Sequence, residues 1–262
     1  MQRSGLTHRG DPARVAAAGG PLPPVDLPLA CRGCGRHFRM HADAWIALLA
    51  GAGTWQECWA DVRPTDHLGW MEPRPYREII EAGEAAGLNE SVRTGPCTIG
   101  PRHVWLAAFD FRFMGGSLGA VGGERLARGM EQAARLGWPY LLVAASGGAR
   151  MQEGALALLQ MAKVNAALGR LRAAGCPYVT ILTDPTFGGV AASLALLGDV
   201  NIAEPGASIG FTGARVIEQA THTVLADGFQ SAEFQLAHGQ VDLVVPRPEL
   251  RTTIARLLEF LA

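Results

Sequence analysis

The sequence predicts a layered α/β fold, because a pattern of strand, glycine pair and helix occurs three times along the chain. In each occurrence an apolar, strand-like run leads to a glycine pair and is followed by a segment with helical periodicity. The pairs begin at Gly115, Gly147 and Gly188. Strands that alternate with helices in this way are typical of the α/β class.

The composition narrows the kinds of partner. The chain has 262 residues, 48% of them hydrophobic, which is enough for one large core and a small appendage. Its net charge of −1 provides no attraction for nucleic acid or an anionic membrane. The apolar runs are too short to cross a bilayer. We therefore expect small-molecule or protein partners, no nucleic acid and no membrane.

The cysteine content predicts a cytoplasmic protein. Five cysteines with a single CxxC pair fit a reducing compartment better than a disulfide framework. The first twenty residues also lack the apolar segment of a secretory signal. A single lysine, Lys163, argues against Schiff-base chemistry.

Residues 1–30 are rich in Gly, Pro, Ala and Arg and are predicted to form a flexible arm. Cys31 and Cys34 follow, with the spacing of half a zinc site. A tetrahedral structural site needs four ligands, and no second CxxC pair exists. We interpret the pair as a degenerate zinc knuckle, an incomplete metal site for which zinc binding is uncertain.

Residues 31–91 are predicted to form a knuckle and helical region. The segments MHADAWIALL and PYREIIEAGEAAGL have helical rhythm, and the aromatic residues between them are expected to cover the core. Asp66 and His67 are interpreted as a surface turn, with catalysis as the alternative.

The main domain is predicted to span residues 92–262. It opens with strand-like runs that are separated by glycine and proline turns. The run GGSLGAVGG does not have the GxGxxG spacing of a dinucleotide-binding turn, and no suitably placed acidic residue closes the unit.

The turns at Gly147 and Gly188 form the candidate active site. Glycine allows close approach of the backbone to a ligand, and amides at the start of a helix are unpaired. Two such turns facing each other would hold a developing oxyanion. In the segment after Arg150, Glu153 either reaches a ligand or complements a helix dipole.

The helix after the second turn is predicted to bury one apolar stripe. Its members recur at spacings of three and four and are Leu158, Met161, Val164, Leu168 and Leu171.

Four motifs carry a family resemblance. They are FDFRFMGGSLG, SGGARMQEG, LTDPTFGGVAAS and GDVNIAEPGASIGFTGARVIEQ. Together they resemble the β subunit of the bacterial acetyl-CoA carboxylase carboxyltransferase, in the crotonase-like superfamily. The resemblance runs from Cys31 to the C-terminus. It implies a ββα superhelix around a thioester pocket, and transfer of a carboxyl group from carboxybiotin to acetyl-CoA, or a related acyl-CoA, to give malonyl-CoA.

The resemblance also implies roles for individual residues. The enolate oxygen would be held by one backbone amide from each turn, Gly148 or Ala149 beside Gly147, and Gly188 or Gly189. The CoA would lie along Gly115, Gly116, Ser117 and Gly119, with Arg150 near it. Arg215 is a further candidate for contact with phosphate or a partner, with a structural ion pair as the alternative.

The implied partners are a carboxyltransferase α subunit and the biotin carboxyl carrier protein, in a hetero- or homo-oligomer. Members of the family usually carry a zinc ribbon of four cysteines. This chain keeps only the second pair, Cys31 and Cys34, which leaves zinc binding in doubt.

Two other functions stay open from the sequence. The same oxyanion hole would serve a malonyl-thioester decarboxylase that works without biotin, as in malonate decarboxylase subunits. Alternatively, a non-catalytic protein would use the glycine turns only to bind CoA or a partner. The glycines kept in SGGAR and TFGGV argue against the second of these.

Overall fold

The computed structural model describes residues 37–261. The predicted arm, residues 1–30, and the Cys31 and Cys34 pair lie outside this range, so the incomplete zinc site stays a prediction. Within residues 37–261, no cluster of three or more His, Cys, Asp or Glu side chains is arranged to hold a metal ion. None of the helices in that range is both long and apolar enough to cross a membrane.

A six-stranded sheet with the strands in sequence order forms the centre of the protein. β1 and β2 form an antiparallel hairpin, and every later strand lies parallel to its neighbour. The strands are β1 Val92–Ile99, β2 Arg102–Phe109, β3 Tyr140–Ser146, β4 Tyr178–Thr186, β5 Val200–Ala203 and β6 Leu243–Val244. All seven residues of β3 are buried, as expected of a parallel strand covered on both faces. The predicted layered α/β class is confirmed, and from β2 onward its sheet is parallel.

Helices cover both faces of this sheet. They are α1 Ala42–Leu49, α2 Tyr76–Ala85, α3 Ala120–Leu136, α4 Ala155–Ala173, α5 Gly188–Val190, α6 Ala214–Thr221, α7 Ala232–Ala237 and α8 Arg247–Leu261. Short 3₁₀ turns at Met114–Gly116 and Met151–Glu153 precede α3 and α4, and a π-helical turn at Ala191–Ala195 extends α5.

Successive residues of the central strands belong to two different cores, because side chains alternate across a sheet. Leu141 packs with α1 and α8, whereas Leu142 packs with α3 and α4. The sheet is therefore covered on both faces. A ligand can approach it at the carboxyl ends of the strands, where the loops begin.

The apolar stripe predicted for α4 is correct only in part. Val164, Leu168 and Leu171 are buried and Met161 is partly buried, but Leu158 is 60% exposed. The spacing explains the error. Two successive steps of three residues, from Leu158 to Val164, rotate a position by about 120° around a helix of 3.6 residues per turn. Leu158 therefore lies on the side of α4 and not on its buried face.

Residues 37–91 share a core with the sheet. Trp45, Ile46 and Leu49 of α1 are buried in one core with Val104 and Ile254. Of the aromatic residues between the two predicted helical segments, Trp55 and Trp59 are partly buried against the core, as expected. The predicted boundary before residue 92 therefore does not coincide with a break in packing.

A surface turn forms at Asp66 and His67, as predicted. The Asp66 carboxylate accepts hydrogen bonds from the amides of Leu68 and Trp70, each at 3.2 Å. His67 is exposed and bonds to the Thr65 hydroxyl at 3.0 Å.

A buried carboxylate connects α1 to the end of β2. Asp110 accepts hydrogen bonds from the Arg112 side chain at 2.6 and 2.9 Å and from the Ala42 amide, in the first turn of α1, at 3.3 Å. Burial acts to raise the pKa of Asp110, but the hydrogen bonds and charge of Arg112 outweigh it and hold the pKa below its usual range.

We expect Asp110→Asn to lower the free energy of unfolding at neutral pH by about 1.5–3 kcal/mol, because it removes charged hydrogen bonds. The pKa of Asp110 is lower folded than unfolded, so its contribution is present above the unfolded value of about 3.9 and is lost as the pH falls through the folded value. Urea denaturation between neutral pH and about pH 3 should therefore show a shallower acid loss in the variant. The exposed Asp227→Asn is the matched control. An equally steep acid loss in Asp110→Asn would contradict this assignment.

Candidate active site

Three glycine turns meet at the carboxyl edge of the sheet. Gly115, Gly147 and Gly188 follow β2, β3 and β4, and parallel neighbouring strands end at the same edge. The Gly147 amide donates to the Gly115 carbonyl at 2.9 Å, and the Phe187 amide donates to the Ser146 carbonyl at 2.8 Å. The fold therefore brings together the three segments in which the sequence predicts the site.

The second and third turns touch through their backbones. A Cβ added to Gly188 would lie 2.9 Å from Gly148 Cα and 3.1 Å from the Gly147 carbonyl oxygen. Gly148 and Gly188 also have φ values of +121° and +65°, a region that side chains disfavour. Only glycine allows this contact, which leaves the amides of both turns close together.

Two of the four amides considered from the sequence are already paired. The Gly148 amide donates to Ser146 Oγ at 3.1 Å, and the Gly188 amide donates to the Phe211 carbonyl at 2.9 Å. The amides of Ala149 and Gly189 have no acceptor within residues 37–261. These two are therefore the amides that remain for a ligand.

Each unpaired amide has a local cause. The residues on either side of Ala149 bond to Leu118, through the Gly148 carbonyl at 2.8 Å and the Arg150 amide at 3.0 Å. In such a parallel bridge the amide of the middle residue points away from the partner segment. Gly189 lies in the first turn of α5, where amides have no intrahelical acceptor.

Gly189 also lies against α4. A Cβ at this position would be 2.0 Å from Met161 Cε. Met161 is therefore a packing residue at the site, and it limits what residue 189 can be.

Three of the four residues predicted to lie along CoA, Gly116, Ser117 and Gly119, pack against the interior of the protein. A Cβ on Gly116 would lie 2.0 Å from the Ala145 carbonyl oxygen, and one on Gly119 would lie 2.6 Å from Arg150 Nη1. Ser117 Oγ accepts from Arg150 Nε at 3.3 Å. Of the three glycines, only Gly115 would meet no close atom, since the nearest neighbour of a Cβ there, Phe111 Cζ, lies at an ordinary contact distance of 3.8 Å. Packing alone thus explains glycine at positions 116 and 119.

The Arg150 side chain binds groups inside the protein. It is fully buried, and its guanidinium binds Glu90, Glu153 and the Ser117 carbonyl. Its donors are engaged inside the protein, and the position near CoA that the family resemblance implies for Arg150 stays a prediction.

The buried pair of Arg150 and Glu90 is charged. Burial acts to raise the pKa of Glu90, but the charge and hydrogen bonds of Arg150 outweigh it and hold the pKa of this carboxyl below its usual range. Burial acts to lower the pKa of Arg150, and the Glu90 charge outweighs it and raises that pKa.

Glu153 lies just before α4, but its carboxylate caps the start of α3 instead. Its carboxylate accepts from the Ala120 amide, the first residue of α3, and from the Tyr76 hydroxyl at 2.6 Å. Sequence reasoning missed Glu90 and Tyr76 as partners of the site. Neither lies in a glycine motif, and no local pattern marks a contact that spans 60 or 74 residues.

Exposed apolar side chains lie beside the turns. Met151, directly after Arg150, is 68% exposed, and Phe211, whose carbonyl accepts from Gly188, is 67% exposed. Leu158 and Leu159 on α4 are 60% and 61% exposed. Arg215, on α6, is exposed and has no ion-pair partner within residues 37–261, so the structural ion pair considered from the sequence is not found there.

Residues 72–256 match the carboxyl transferase domain family. The chain is 51% identical over 234 residues to the acetyl-coenzyme A carboxylase carboxyl transferase subunit beta 2 of Roseiflexus sp. (strain RS-1), covering 88% of this chain and 77% of that protein. It is 49% identical over 231 residues to the corresponding subunit beta of Synechococcus elongatus, covering 88% and 76%.

Solved structures agree with these sequence relatives. The transcarboxylase 12S structure has a TM-score of 0.70 and 30% identity, covering 84% of this chain and 41% of that chain. The malonate decarboxylase MdcD-MdcE hetero-dimer of Pseudomonas has a TM-score of 0.64 and 27% identity, covering 85% and 86%. The chain therefore belongs to the carboxyl transferase family, among the acetyl-coenzyme A carboxylase carboxyl transferase β subunits that its motifs resemble.

Proposed function

We propose that this protein is the carboxyltransferase β subunit that moves a carboxyl group from carboxybiotin to acetyl-CoA, or to a related acyl-CoA, to form malonyl-CoA. The observation that carries the proposal is the pair of unpaired amides, Ala149 and Gly189, on two glycine turns in backbone contact. The β subunits to which the chain is about half identical support the same reaction.

The chemistry requires an oxyanion site. Removing a proton from the methyl carbon of an acyl thioester moves charge onto the thioester oxygen, and the enolate carbon then forms a bond to the carboxyl carbon. Two fixed amides stabilise that oxygen more strongly in the enolate than in the ground state, which is how a preorganised hole lowers the barrier. We assign these donors to Ala149 and Gly189, with Gly147, Gly148 and Gly188 shaping the turns.

The three turns supply no general base. The segments 115–119, 147–149 and 187–189 contain no carboxylate, imidazole or amine. Carboxybiotin on a carrier protein would supply the carboxyl group as its bond between nitrogen and the carboxyl carbon breaks, and the biotin left by that cleavage would accept the methyl proton. This chain's own residues would bind the acyl thioester, hold its oxygen and orient its methyl group.

We place the CoA beside residues 115–119, with a narrower role than the family motif implies. Gly115 is the one glycine of this segment at which a Cβ would meet no atom closer than 3.8 Å, so its backbone is the part of this segment suited to approach the ligand. Gly116, Ser117 and Gly119 support that backbone from inside, and Arg150 acts at a distance.

The remaining parts follow from this assignment. We propose that residues 92–262 form the carboxyltransferase domain, as a crotonase-like ββα superhelix, and that residues 31–91 form a knuckle and helical region, whose helix α1 packs on one face of the sheet. The exposed apolar residues beside the turns, Met151 and Phe211 among them, suit contact with a carboxyltransferase α subunit. The biotin carboxyl carrier protein is the second proposed partner, and the cytoplasm is the proposed location.

Decarboxylation of a malonyl thioester without biotin is not favoured. The malonate decarboxylase structures are 27% identical to this chain, whereas carboxyl transferase β subunits reach 51%.

The reaction is tested with malonyl-CoA. The chain is purified with and without a carboxyltransferase α subunit, and carbon dioxide release and carboxylation of free biotin are measured together. We expect turnover only when the α subunit and biotin are both present. Release of carbon dioxide without biotin would contradict the proposal and favour decarboxylation. Binding of CoA with no turnover in any combination would favour the non-catalytic alternative.

The oxyanion donor is tested at Gly189. Proline there removes the amide but fits the first turn of a helix, and alanine keeps the amide. Both are made in a Met161→Ala background, because a Cβ at residue 189 would meet the Met161 methyl group. We expect Gly189→Pro to lower kcat about 10²–10³-fold relative to Gly189→Ala.

Circular dichroism and thermal unfolding should show that both variants are folded. Equal kcat values in the alanine and proline variants would contradict the assignment of the Gly189 amide.

A further inference from the structure

A fully buried arginine connects the second glycine turn to three other segments. We call Arg150, Glu90, Glu153, Tyr76 and Ser117 the Arg150 cluster. The guanidinium reaches Glu90 before β1 with Nη1 at 3.0 Å, the Ser117 carbonyl with Nη2 at 2.8 Å, and the Tyr76 hydroxyl on α2 at 3.2 Å. One side chain thus holds α2, the start of β1 and the segment after β2 in a fixed relation.

The same residue fixes the unpaired amide that precedes it. Through its main chain, Arg150 donates to the Leu118 carbonyl at 3.0 Å. Through its side chain, it donates to the carbonyl of the adjacent Ser117. Two bonds to neighbouring carbonyls restrain both the position and the rotation of residue 150. Ala149 lies between this restrained residue and the Gly148 carbonyl, which accepts from the Leu118 amide at 2.8 Å and shares a peptide plane with the Ala149 amide. The direction of the Ala149 amide is therefore restrained from both sides.

A second connection runs through Glu153. Its carboxylate binds Arg150 Nη1 at 3.2 Å, the Tyr76 hydroxyl at 2.6 Å and the Ala120 amide at the start of α3. Gly119 leaves room for this contact, since a Cβ there would be 2.5 Å from Glu153 Oε1. The cluster thereby fixes the segment 117–120 from both ends.

Stability alone does not account for such a cluster. Side chains with one positive and two negative charges are removed from water here, with exposures of 0% for Arg150 and Glu90 and 3% for Glu153. Buried ion pairs contribute little net stability compared with apolar residues of the same volume. What they do provide is directional restraint, and catalytic groups must be held within about 0.5 Å and 10–20° of their productive geometry.

We propose that the Arg150 and Glu90 pair is a positioning device that aims the Ala149 amide at the enolate oxygen. The inference rests on the proposed carboxyl transfer and adds residues that touch no substrate. Such a device acts on the transition state more than on substrate binding, so it is expected to change kcat and leave KM for the acyl-CoA nearly unchanged.

The first test is Glu90→Gln, assayed as the complex with a carboxyltransferase α subunit. The substitution keeps the shape but removes the charge that orients Arg150. We expect kcat to fall about 10–100-fold, as for a misplaced catalytic group, with KM changed less than about twofold. Tyr76→Phe, which removes a single hydroxyl, should show the same pattern with a smaller loss. The exposed Glu259→Gln is the matched control and should leave kcat unchanged.

The second test separates positioning from a general structural effect. Ala149→Pro removes the amide that the pair is proposed to aim. Adding Glu90→Gln to Ala149→Pro should then lower kcat by less than about twofold further, because coupled residues do not add. Adding Glu90→Gln to Gly189→Pro in the Met161→Ala background should lower kcat by the same factor as Glu90→Gln does alone, since the Gly189 amide belongs to the other turn.

The outcomes are distinct. Suppose that the unmodified complex turns over. If Glu90→Gln then keeps the unmodified kcat, or raises KM by as large a factor as it lowers kcat, the positioning proposal is overturned and the carboxyltransferase proposal stands. The same holds if Glu90→Gln has an equal effect in the Ala149→Pro and Gly189→Pro backgrounds. If Ala149→Pro does not fold, the kcat and KM values of Glu90→Gln and Tyr76→Phe decide. An unmodified complex without turnover would overturn both proposals.

Discussion

The backbone contact between Gly148 and Gly188 is the constraint on which the site depends. Each residue occupies the space where the other would carry a side chain, so only glycine allows the turns after β3 and β4 to touch. In these turns the amides of Gly148 and Gly188 donate to acceptors inside the protein, Ser146 Oγ and the Phe211 carbonyl. The neighbouring amides, one residue further along each chain segment, are left for a ligand.

The Arg150 cluster shows how the rest of the molecule supports that contact. A glycine turn is conformationally free, and freedom is unfavourable where an amide must point in one direction. Arg150 removes that freedom by binding Glu90 and the Ser117 carbonyl, which belong to segments far apart in the sequence. The glycines allow the conformation of the turn, and the contacts of Arg150 hold it in that conformation. This combination suits an oxyanion site on a loop.

Much of this arrangement could be predicted from the sequence, but not all of it. The strand, Gly-Gly and helix units are local patterns, so the layered α/β class and the role of the turns at Gly147 and Gly188 as one site followed from the residues themselves. The partners of Arg150 could not, because Glu90 lies 60 residues away and a buried ion pair leaves no periodic signal. The exposure of Leu158 was missed because its spacing resembles a helical stripe over one step and diverges over two. The choice of Ala149 and Gly189 over their neighbours needed hydrogen-bond acceptors that only the fold supplies.

The glycines of the site differ in how freely evolution can replace them. At residue 116 the obstacle to a side chain is the carbonyl oxygen of Ala145. Ala145 belongs to β3, a buried strand that is held between β2 and β4. At residue 189 the obstacle is the terminal methyl group of Met161, which a smaller side chain would remove. Residue 116 is therefore expected to be invariant among relatives, whereas residues 189 and 161 are expected to covary, with any alanine at 189 accompanied by a shortened side chain at 161.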